Sequence, residues 1–429
     1  MANKNLGEVA SVASIRDTDC LICEVGGSIR RITKGDFLDG VVILSNDLSY
    51  RDANGNYKAR RSTANTYVVN TPGYYKFPFV YGNAIKDGVA NTAAYTNNGG
   101  SLQAAFVNHL GAAIASPYLE GNEGCTPSSV EVSYQTSAGL IKNLTTIVGG
   151  DCGYAGFFID AIPDDGAYAV ISAKTAAGVV IWSWNIWAYK GDLTELEFTT
   201  HNGNKYKMLP VNLCSILESG RATTSPHWQW GRPALIPDRS GYDASGNAVS
   251  TTISTTPAAD IATGIKNPLT FYCYDAANNN DWQSGVASRY NHWDANKSAA
   301  GATDSVVVKT VYDPSPVGFK IPNAMVFTGF TTTGQYTNDS TQFNVVGSFD
   351  KGWMFKRNDN DTVGNYFPAS GCRSYSAGAL SRVGSGGYCW SSPPCSATSA
   401  YNLNFDSGYV SPLDSGNRAY GFAVRPVRE

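Results

Sequence analysis

Short apolar runs that alternate with polar residues occur along most of the chain. In residues 401–406, for example, Leu403 and Phe405 alternate with polar side chains. Alternation with a period of two is typical of half-buried strands, and the Asn, Gly and Ser clusters between the runs are typical of turns. The pattern therefore predicts a mainly β protein with few helices, in which residues 401–406 form a strand with one apolar and one polar face.

Changes in this pattern predict three domains, which suits a chain of 429 residues because one core usually serves about 100–200 residues. Residues 1–62 contain a strand, a Gly-Gly turn and a second strand within 20–32, followed by a polar linker. Residues 63–198 contain several longer strand-like runs and predict a β-sandwich. Residues 199–429 predict a C-terminal α+β domain.

One helix and one tryptophan cluster are predicted within residues 63–198. Residues 101–111 begin with Ser, have apolar spacing near 3.6 and end with Gly, which predicts a short helix. Trp182, Trp184 and Trp187 suit either stacking on sugars or packing in a core. Trp182 and Trp184 share one face of a strand, which favours the core.

The charge of the chain argues against nucleic acid and membrane partners. The net charge is −3, and basic residues cluster no further than the pairs at 30–31 and 60–61, so the basic footprint of a nucleic-acid-binding protein is missing. The chain contains no run of about 18 apolar residues, so no membrane-spanning helix is predicted. Acidic and amide residues interrupt the first ten positions, where a signal peptide needs an unbroken apolar stretch, so we expect synthesis in the cytoplasm without export.

The cysteines and histidines predict neither a metal site nor a cofactor. Nine cysteines are an odd number spread over a long chain, which favours free thiols. Cys20 and Cys23 form a CxxC motif, but no second motif completes a zinc site. The four histidines do not form an HExxH motif.

Three parts of the chain resemble known protein families. The segment SIRDTDCLICEVGGSIRRITKGDFL resembles the N-terminal adaptors of bacteriophage head and tail fibres. Residues 64–192 resemble β-sandwich domains of surface and phage proteins of Bacteroidetes. The most specific resemblance is carried by six segments in order: YKMLPVNLCSILESG, HWQWGRPALIPD, DWQSGV, TVYDPSPVGFKIPNAMVF, GYCWSSPPCSATSAYNLNFDSG and NRAYGFAVRPVRE. They resemble the C-type-lectin-like, formylglycine-generating-enzyme-like fold, in the form found in targets of diversity-generating retroelements.

The last resemblance implies a variable ligand-binding surface within residues 391–420. This stretch lacks Lys, Glu, Gln, Met and Trp, the five types that mutagenesis at adenines of Asn-type codons leaves out in the resembling proteins. It is rich in Tyr, Ser and Asn, as antibody paratopes are. The expected ligand-binding residues are Pro394, Cys395, Ser396, Thr398, Ser399, Asn402, Asn404, Asp406, Tyr409, Ser411, Leu413, Asp414, Ser415, Gly416, Asn417 and Tyr420.

Within this surface, the polar face of the strand at Asn402, Asn404 and Asp406 and a loop over 411–417 are expected to contact the ligand. Four residues are expected to hold the scaffold: Trp390, Leu403, Phe405 and Phe422.

These observations together predict a non-enzymatic receptor-binding fibre protein of a bacteriophage virion. Its expected partners are further copies of itself in a homotrimer, other virion proteins through residues 1–62, and a glycan or protein on the host-cell surface. A fimbria-like bacterial adhesin is the main alternative. Two enzyme classes are weaker alternatives: a glycan depolymerase with paired carboxylates and a formylglycine-generating enzyme, whose cysteine pair would be Cys389 and Cys395.

Overall fold

A computed structural model shows a mostly β protein, as the alternation of apolar residues predicts. It describes residues 21–25, 28–32, 46–96, 103–148, 152–218, 221–274, 281–284 and 289–429, with side chains described from residue 46 onward except at 218 and 221–223. A six-residue α-helix, Ile261–Lys266, begins where the Asp260 carboxylate accepts the backbone N–H of Thr263. Short 3-10 turns cover Leu48–Tyr50, Thr92–Ala94, Leu119–Gly121, Ala324–Phe330 and Ser340–Gln342.

An antiparallel hairpin forms near the N-terminus, as predicted. Its strands are β1 (Leu21–Val25) and β2 (Ser28–Ile32), and within the described residues they pair only with each other. Cys20 lies outside the described residues, and the side chain of Cys23 is not among those described, so the expectation that this CxxC motif holds no metal stays a prediction.

Two larger sheets follow the hairpin. The four-stranded sheet has the order β3 (Asn46–Asp47), β5 (Gly73–Pro78), β10 (Tyr154–Ile159) and β9 (Lys142–Ile147). The six-stranded sheet has the order β19 (Ala248–Val249), β18 (Gly241–Tyr242), β8 (Ser129–Gln135), β11 (Ala167–Lys174), β12 (Val180–Ala188) and β4 (Thr66–Val69). Strands β4 and β12 pair in parallel.

Aromatic side chains join the facing sides of these two sheets. The ring of Phe77 on β5 lies 5.0 Å from the ring of Trp184 on β12. Trp182, Trp184 and Trp187 are fully buried, so the interpretation of these tryptophans as core residues is confirmed.

The helix predicted over 101–111 is wrong for residues 103–111, which are extended or in turns. The Asn108 side chain accepts the backbone N–H groups of Leu110 and Ala112, at 2.9 and 3.2 Å, and so closes a local turn. Such side-chain bonds compete with the helical ladder. The backbone N–H of Val107 donates to the Tyr312 hydroxyl at 2.7 Å, so a distant residue also holds the segment extended.

The other strands outside the site sheet are short and belong to small sheets. One four-stranded sheet has the order β13 (Leu196–Thr199), β14 (Lys205–Met208), β32 (Val427–Arg428) and β22 (Phe319–Lys320). A second has the order β17 (Trp228–Gln229), β31 (Gly421–Phe422), β26 (Cys372–Arg373) and β27 (Leu380–Ser381). Smaller sheets pair β6 (Ile85–Lys86) with β7 (Val89–Ala90), β15 (Ile216–Glu218) with β16 (Arg221–Thr224), and β20 (Thr252–Ser254) with β21 (Thr270–Tyr272), and join β23 (Val345–Val346), β24 (Gly352–Phe355) and β25 (Asn365–Pro368).

The candidate ligand-binding residues lie on or beside one three-stranded antiparallel sheet, named here the site sheet. Its strands are β28 (Gly386–Pro394), β29 (Ser399–Asp406) and β30 (Val410–Asn417). One face of the site sheet covers an apolar cluster that includes Phe355, Leu403, Phe405 and Val410. This buried face fixes the register of the strands, because a slip of one residue would expose it.

Residues on the two sides of the predicted boundary at 198/199 share a core. Strands β18 and β19 of the six-stranded sheet come from beyond that boundary. The Asn65 side chain donates to the backbone carbonyls of Val311 and Asp313 at 2.6 and 2.8 Å. The three predicted domains and their boundaries stay predictions. Among the described residues, none of the helices has the length and apolar character needed to cross a membrane.

Candidate functional site

The alternation in residues 401–406 produces the two faces that the sequence predicts. Leu403 and Phe405 are fully buried beneath the site sheet, whereas Asn404 and Asp406 lie half-buried on its outer face. Trp390 and Phe422 are also buried, so the four scaffold residues are confirmed as core residues. The indole N–H of Trp353 donates to the carbonyl of Asp406 at 2.9 Å and fixes the end of β29.

Five side chains form a polar network on the outer face: Arg382, Asn404, Asp406, Tyr409 and Asp414. The Tyr409 hydroxyl donates to the Asn404 amide oxygen at 2.9 Å, and the Asn404 amide donates to the Asp414 carboxylate at 2.5 Å. The Arg382 guanidinium binds the Asp406 carboxylate at 2.7 Å. These bonds hold the side chains in defined positions, which lowers the entropy that a ligand must remove on binding.

Four expected ligand-binding residues are buried instead of exposed: Pro394, Asn402, Ser411 and Gly416. Asn402 lies on the outer face, but only 1% of it is exposed because Phe422 packs over this part of the sheet. A Cβ atom at Gly416 would meet the Phe422 ring at 2.7 Å, so this position has no room for a side chain.

The predicted loop over 411–417 is a strand. Residues Val410–Asn417 pair with β29 along most of its length, with an irregularity opposite residues 402–404. Polar composition alone predicted a loop, but the backbone hydrogen bonds to β29 stabilise a strand of the same composition. Leu413 and Asp414 on this strand are half-buried, and Ser415 is exposed.

Four expected residues, Cys395, Ser396, Thr398 and Ser399, lie half-buried at the turn between β28 and β29. Within this turn, the Ser396 hydroxyl accepts the backbone N–H groups of Thr398 and Ser399 at 3.2 and 3.0 Å. The buried Arg418 guanidinium donates to the Ser396 carbonyl at 2.9 Å and ties the turn to the interior. Asn417 and Tyr420 are half-buried nearby.

Aromatic residues from outside the predicted stretch also border the outer face. Tyr375 packs between Tyr274 and Tyr420 with tilted rings, and its ring centroid lies 4.6 Å from each of theirs. Tyr336 is 60% exposed, and its ring lies 5.9 Å from that of Tyr409. Four residues of this surface were not among the expected ones, because they reach the site from separate loops and no local pattern links them to it: Tyr274, Tyr336, Tyr375 and Arg382.

The hydroxyl and thiol groups of the site stay protonated near neutral pH. Burial raises the pKa of Tyr420 to about 12, and burial also raises the pKa of the Tyr409 hydroxyl and of the Cys395 thiol. The tyrosines therefore act as hydrogen-bond donors. Cys389 lies under the sheet, where burial raises its pKa to about 12. The raised pKa values disfavour the thiolate form of both cysteines, which is the form that acts as a nucleophile.

No group of three or more His, Cys, Asp or Glu side chains among the described residues has the arrangement of a metal site. The seven cysteines whose side chains the structure describes are free thiols, as predicted for them. We expect EDTA to leave the melting temperature unchanged within the error of the measurement, because no structural metal is predicted. Removing a structural metal would lower the melting temperature, since such a metal contributes directly to folding free energy. Differential scanning fluorimetry with and without EDTA checks this, and a clear drop in melting temperature with EDTA contradicts it.

No family model matches this chain, and neither the curated proteins nor the solved structures give a significant match to it. The relation to C-type-lectin-like domains and to phage fibres therefore stays a prediction.

Proposed function

We propose that this protein is a receptor-binding fibre protein of a bacteriophage, and that it binds a glycan or protein on the host-cell surface through the outer face of the site sheet. The observation that carries the proposal is the polar network of Arg382, Asn404, Asp406, Tyr409 and Asp414, half-exposed above a fully buried apolar cluster. Binding sites on a rigid sheet hold their contact groups more precisely than sites on free loops.

The chemistry of the outer face suits recognition. Tyrosines 336, 409 and 420 offer aromatic area with little side-chain entropy to lose, and the amide, carboxylate and guanidinium groups offer donors and acceptors. The lower face is fully occupied by packing, so substitutions at half-buried positions of the outer face, such as Asn404 and Tyr409, leave the core intact. This separation is what a diversified surface requires, and it supports the same role for the half-exposed members of residues 391–420.

We also propose a domain organisation and an assembly state for the chain. Residues 199–429 are proposed to form a C-type-lectin-like domain, and residues 63–198 a β-sandwich, for which the facing sheets joined by Phe77 and Trp184 give support. The hairpin of residues 21–32 supports attachment to the virion, since an isolated two-stranded hairpin needs a partner for stability. Assembly as a homotrimer would supply avidity for weak surface contacts.

Replacing Tyr409 by alanine should reduce binding to host cells by about tenfold or more if Tyr409 is a central contact, as expected for a tyrosine hot spot. Asn404→Ala and Asp414→Ala should also weaken binding. Because Asn404 bonds both Tyr409 and Asp414, the effects of the three changes should not add. Labelled protein and flow cytometry on cells of the host strain measure binding, and thermal unfolding shows that each variant is folded.

The matched control is Tyr57→Ala, which removes a tyrosine that is 69% exposed and lies outside the site sheet. It should bind cells like the parent protein. If the three site variants, singly and combined, also bind like the parent, the outer face is not the receptor site. Trp182, Trp184 and Trp187 offer no substitute surface, because they are fully buried.

A further inference from the structure

The half-exposed part of the outer face has aromatic side chains at two ends and polar side chains between them. At one end, the ring of Tyr336, which is 60% exposed, lies 5.9 Å from the ring of Tyr409. Tyr409 directly precedes β30, whereas Tyr420 follows the end of that strand. A strand of eight residues is about 26 Å long at the usual rise of ~3.3 Å per residue. The face can therefore contact a ligand longer than a single sugar ring.

Three tyrosines form the aromatic group at the second end. The ring centroid of Tyr375 lies 4.6 Å from those of Tyr274 and Tyr420, and all three side chains are half-buried. Contacts among the rings restrict their motion, so a ligand that binds them removes little side-chain entropy. Aromatic rings of this kind provide apolar area, and the C–H groups on one face of a sugar ring pack against such area.

Asn404 and Asp414 connect the two aromatic groups. The amide of Asn404 accepts the Tyr409 hydroxyl at 2.9 Å and donates to the Asp414 carboxylate at 2.5 Å. Burial raises the pKa of the Tyr420 hydroxyl to about 12, and the charge of the nearby Asp414 adds to this shift. The contacts thus form one continuous surface, named here the aromatic strip: the two tyrosine groups with Asn404 and Asp414 between them.

The charge in the middle of the aromatic strip is negative. Within the described part of the chain, the Arg382 guanidinium pairs with Asp406 at 2.7 Å, and no ion pair includes Asp414. An acidic ligand placed along the strip would be repelled by Asp414, since like charges brought together at an interface cost free energy. A neutral hydroxyl group can instead donate a hydrogen bond to the carboxylate. The charge therefore favours a neutral ligand.

Asp414 also favours a sugar over the surface of a protein. The centre of a protein–protein interface is depleted of charged residues and excludes water. A carboxylate that loses its water there is costly unless new donors replace that water. The closely spaced hydroxyl groups of a sugar supply such donors, so binding a glycan does not require Asp414 to lose its hydrogen bonds.

We propose that the aromatic strip binds a neutral oligosaccharide of the host-cell surface, with sugar rings packed on both tyrosine groups and hydroxyl groups donating to Asp414. The inference rests on the proposed function and names the chemical class of the receptor, a neutral glycan in place of an acidic glycan or a protein. Because the ligand carries no charge, binding should depend little on salt.

The test is competition for the binding of labelled full-length protein to cells of the host strain, measured by flow cytometry. The competitor is polysaccharide extracted from that strain, digested with proteinase K and separated by anion exchange into a neutral and an acidic fraction. The neutral fraction should reduce cell binding by about tenfold or more at saturation, and oxidation of this fraction with periodate, which cleaves between vicinal hydroxyl groups, should abolish the effect. Cell binding should change by less than about twofold between roughly 0.05 and 0.5 M NaCl.

Two results overturn the inference and leave the proposed function intact, because the protein still binds host cells in both. In the first, only the acidic fraction competes. In the second, neither fraction competes and treatment of the cells with proteinase K removes binding, which identifies a protein receptor. The proposed function itself fails by a different result, absence of binding to untreated host cells, and this inference then fails with it.

Variants of Tyr336 test the role of the rings. Tyr336→Ala should weaken binding to the immobilised neutral fraction by about tenfold, because it removes the most exposed ring of the strip. Tyr336→Phe keeps the ring and should retain most of the affinity, and equal losses in the two variants would overturn packing of the sugar on this ring. Tyr57→Ala, which lies outside the site sheet, is the matched control and should bind like the parent protein. Thermal unfolding shows that each variant is folded.

Discussion

Replacing Phe405 by alanine should lower the free energy of unfolding by about 3–5 kcal/mol, through lost burial and the cavity left behind. Phe405 is fully buried beneath the site sheet, and its ring lies 5.3 Å from that of Phe355 in an edge-on contact. Gly387 on the neighbouring strand faces this ring so closely that a Cβ there would meet it at 2.1 Å. The strands are thus packed tightly around the ring, which limits how far the cavity can close.

Urea denaturation followed by tryptophan fluorescence measures this loss as a shift of the midpoint. Phe349→Ala is the matched control, because Phe349 only packs against the edge of the same cluster and is half-buried. Its loss should be clearly smaller. Below the unfolding transition, Phe405→Ala should still bind host cells, because its outer face is unchanged. A loss below about 1 kcal/mol would mean that the apolar cluster does not hold the site sheet together.

The strand character of the site was predictable because it is local. Alternation with a period of two placed Leu403 and Phe405 together, and the structure buries both. The same period placed Asn402 beside Asn404 on the outer face, which is correct, but it carries no information about what packs over that face. Phe422 covers Asn402 and leaves Asn404 half-exposed, and this difference arises from tertiary packing.

The predictions that were wrong or incomplete also failed because contacts between distant residues decide the structure there. Residues 103–111 have helical spacing, yet the Tyr312 hydroxyl and the Asn108 side chain hold them in turns and extended structure. The polar composition of β30 predicted a loop. Pairing with β29 stabilises it as a strand, and this pairing is not visible in the local sequence. Tyr336 and Arg382 complete the outer face from separate loops, and a single sequence has no signal that joins them.

A buried ion pair, Arg418 with Asp281, connects the β28–β29 turn of the site to the protein interior. The Arg418 guanidinium donates to the Ser396 carbonyl in the β28–β29 turn and lies 3.5 Å from the Asp281 carboxylate. It also lies over the Trp230 ring, 4.4 Å from its centroid. Both charged side chains are almost fully buried, so each depends on the other to offset its desolvation. The sequence gives no signal for this pair, because 137 positions separate its members.

Arg418→Met should therefore destabilise the protein by about 3–5 kcal/mol at neutral pH, because Asp281 is left charged and buried without a counter-ion. Burial already raises the pKa of Asp281, and removing Arg418 should raise that pKa further. The folded variant then binds a proton that the unfolded chain, with an ordinary carboxyl pKa near 3.9, does not. The cost of the substitution should accordingly be smallest below about pH 4 and grow as pH rises through the raised pKa.

The double variant Asp281→Asn/Arg418→Met separates charge from packing. It removes both charges, so it should recover much of the stability lost in Arg418→Met and should not share the growth of the cost between pH 4 and neutrality. Urea midpoints for the parent, the single variant and the double variant at several pH values provide the measurement. If the double variant is no more stable than Arg418→Met at neutral pH, the loss comes from the contacts with Ser396 and Trp230. Arg418 would then act as a packing and positioning residue for the β28–β29 turn, and the ion pair would contribute little.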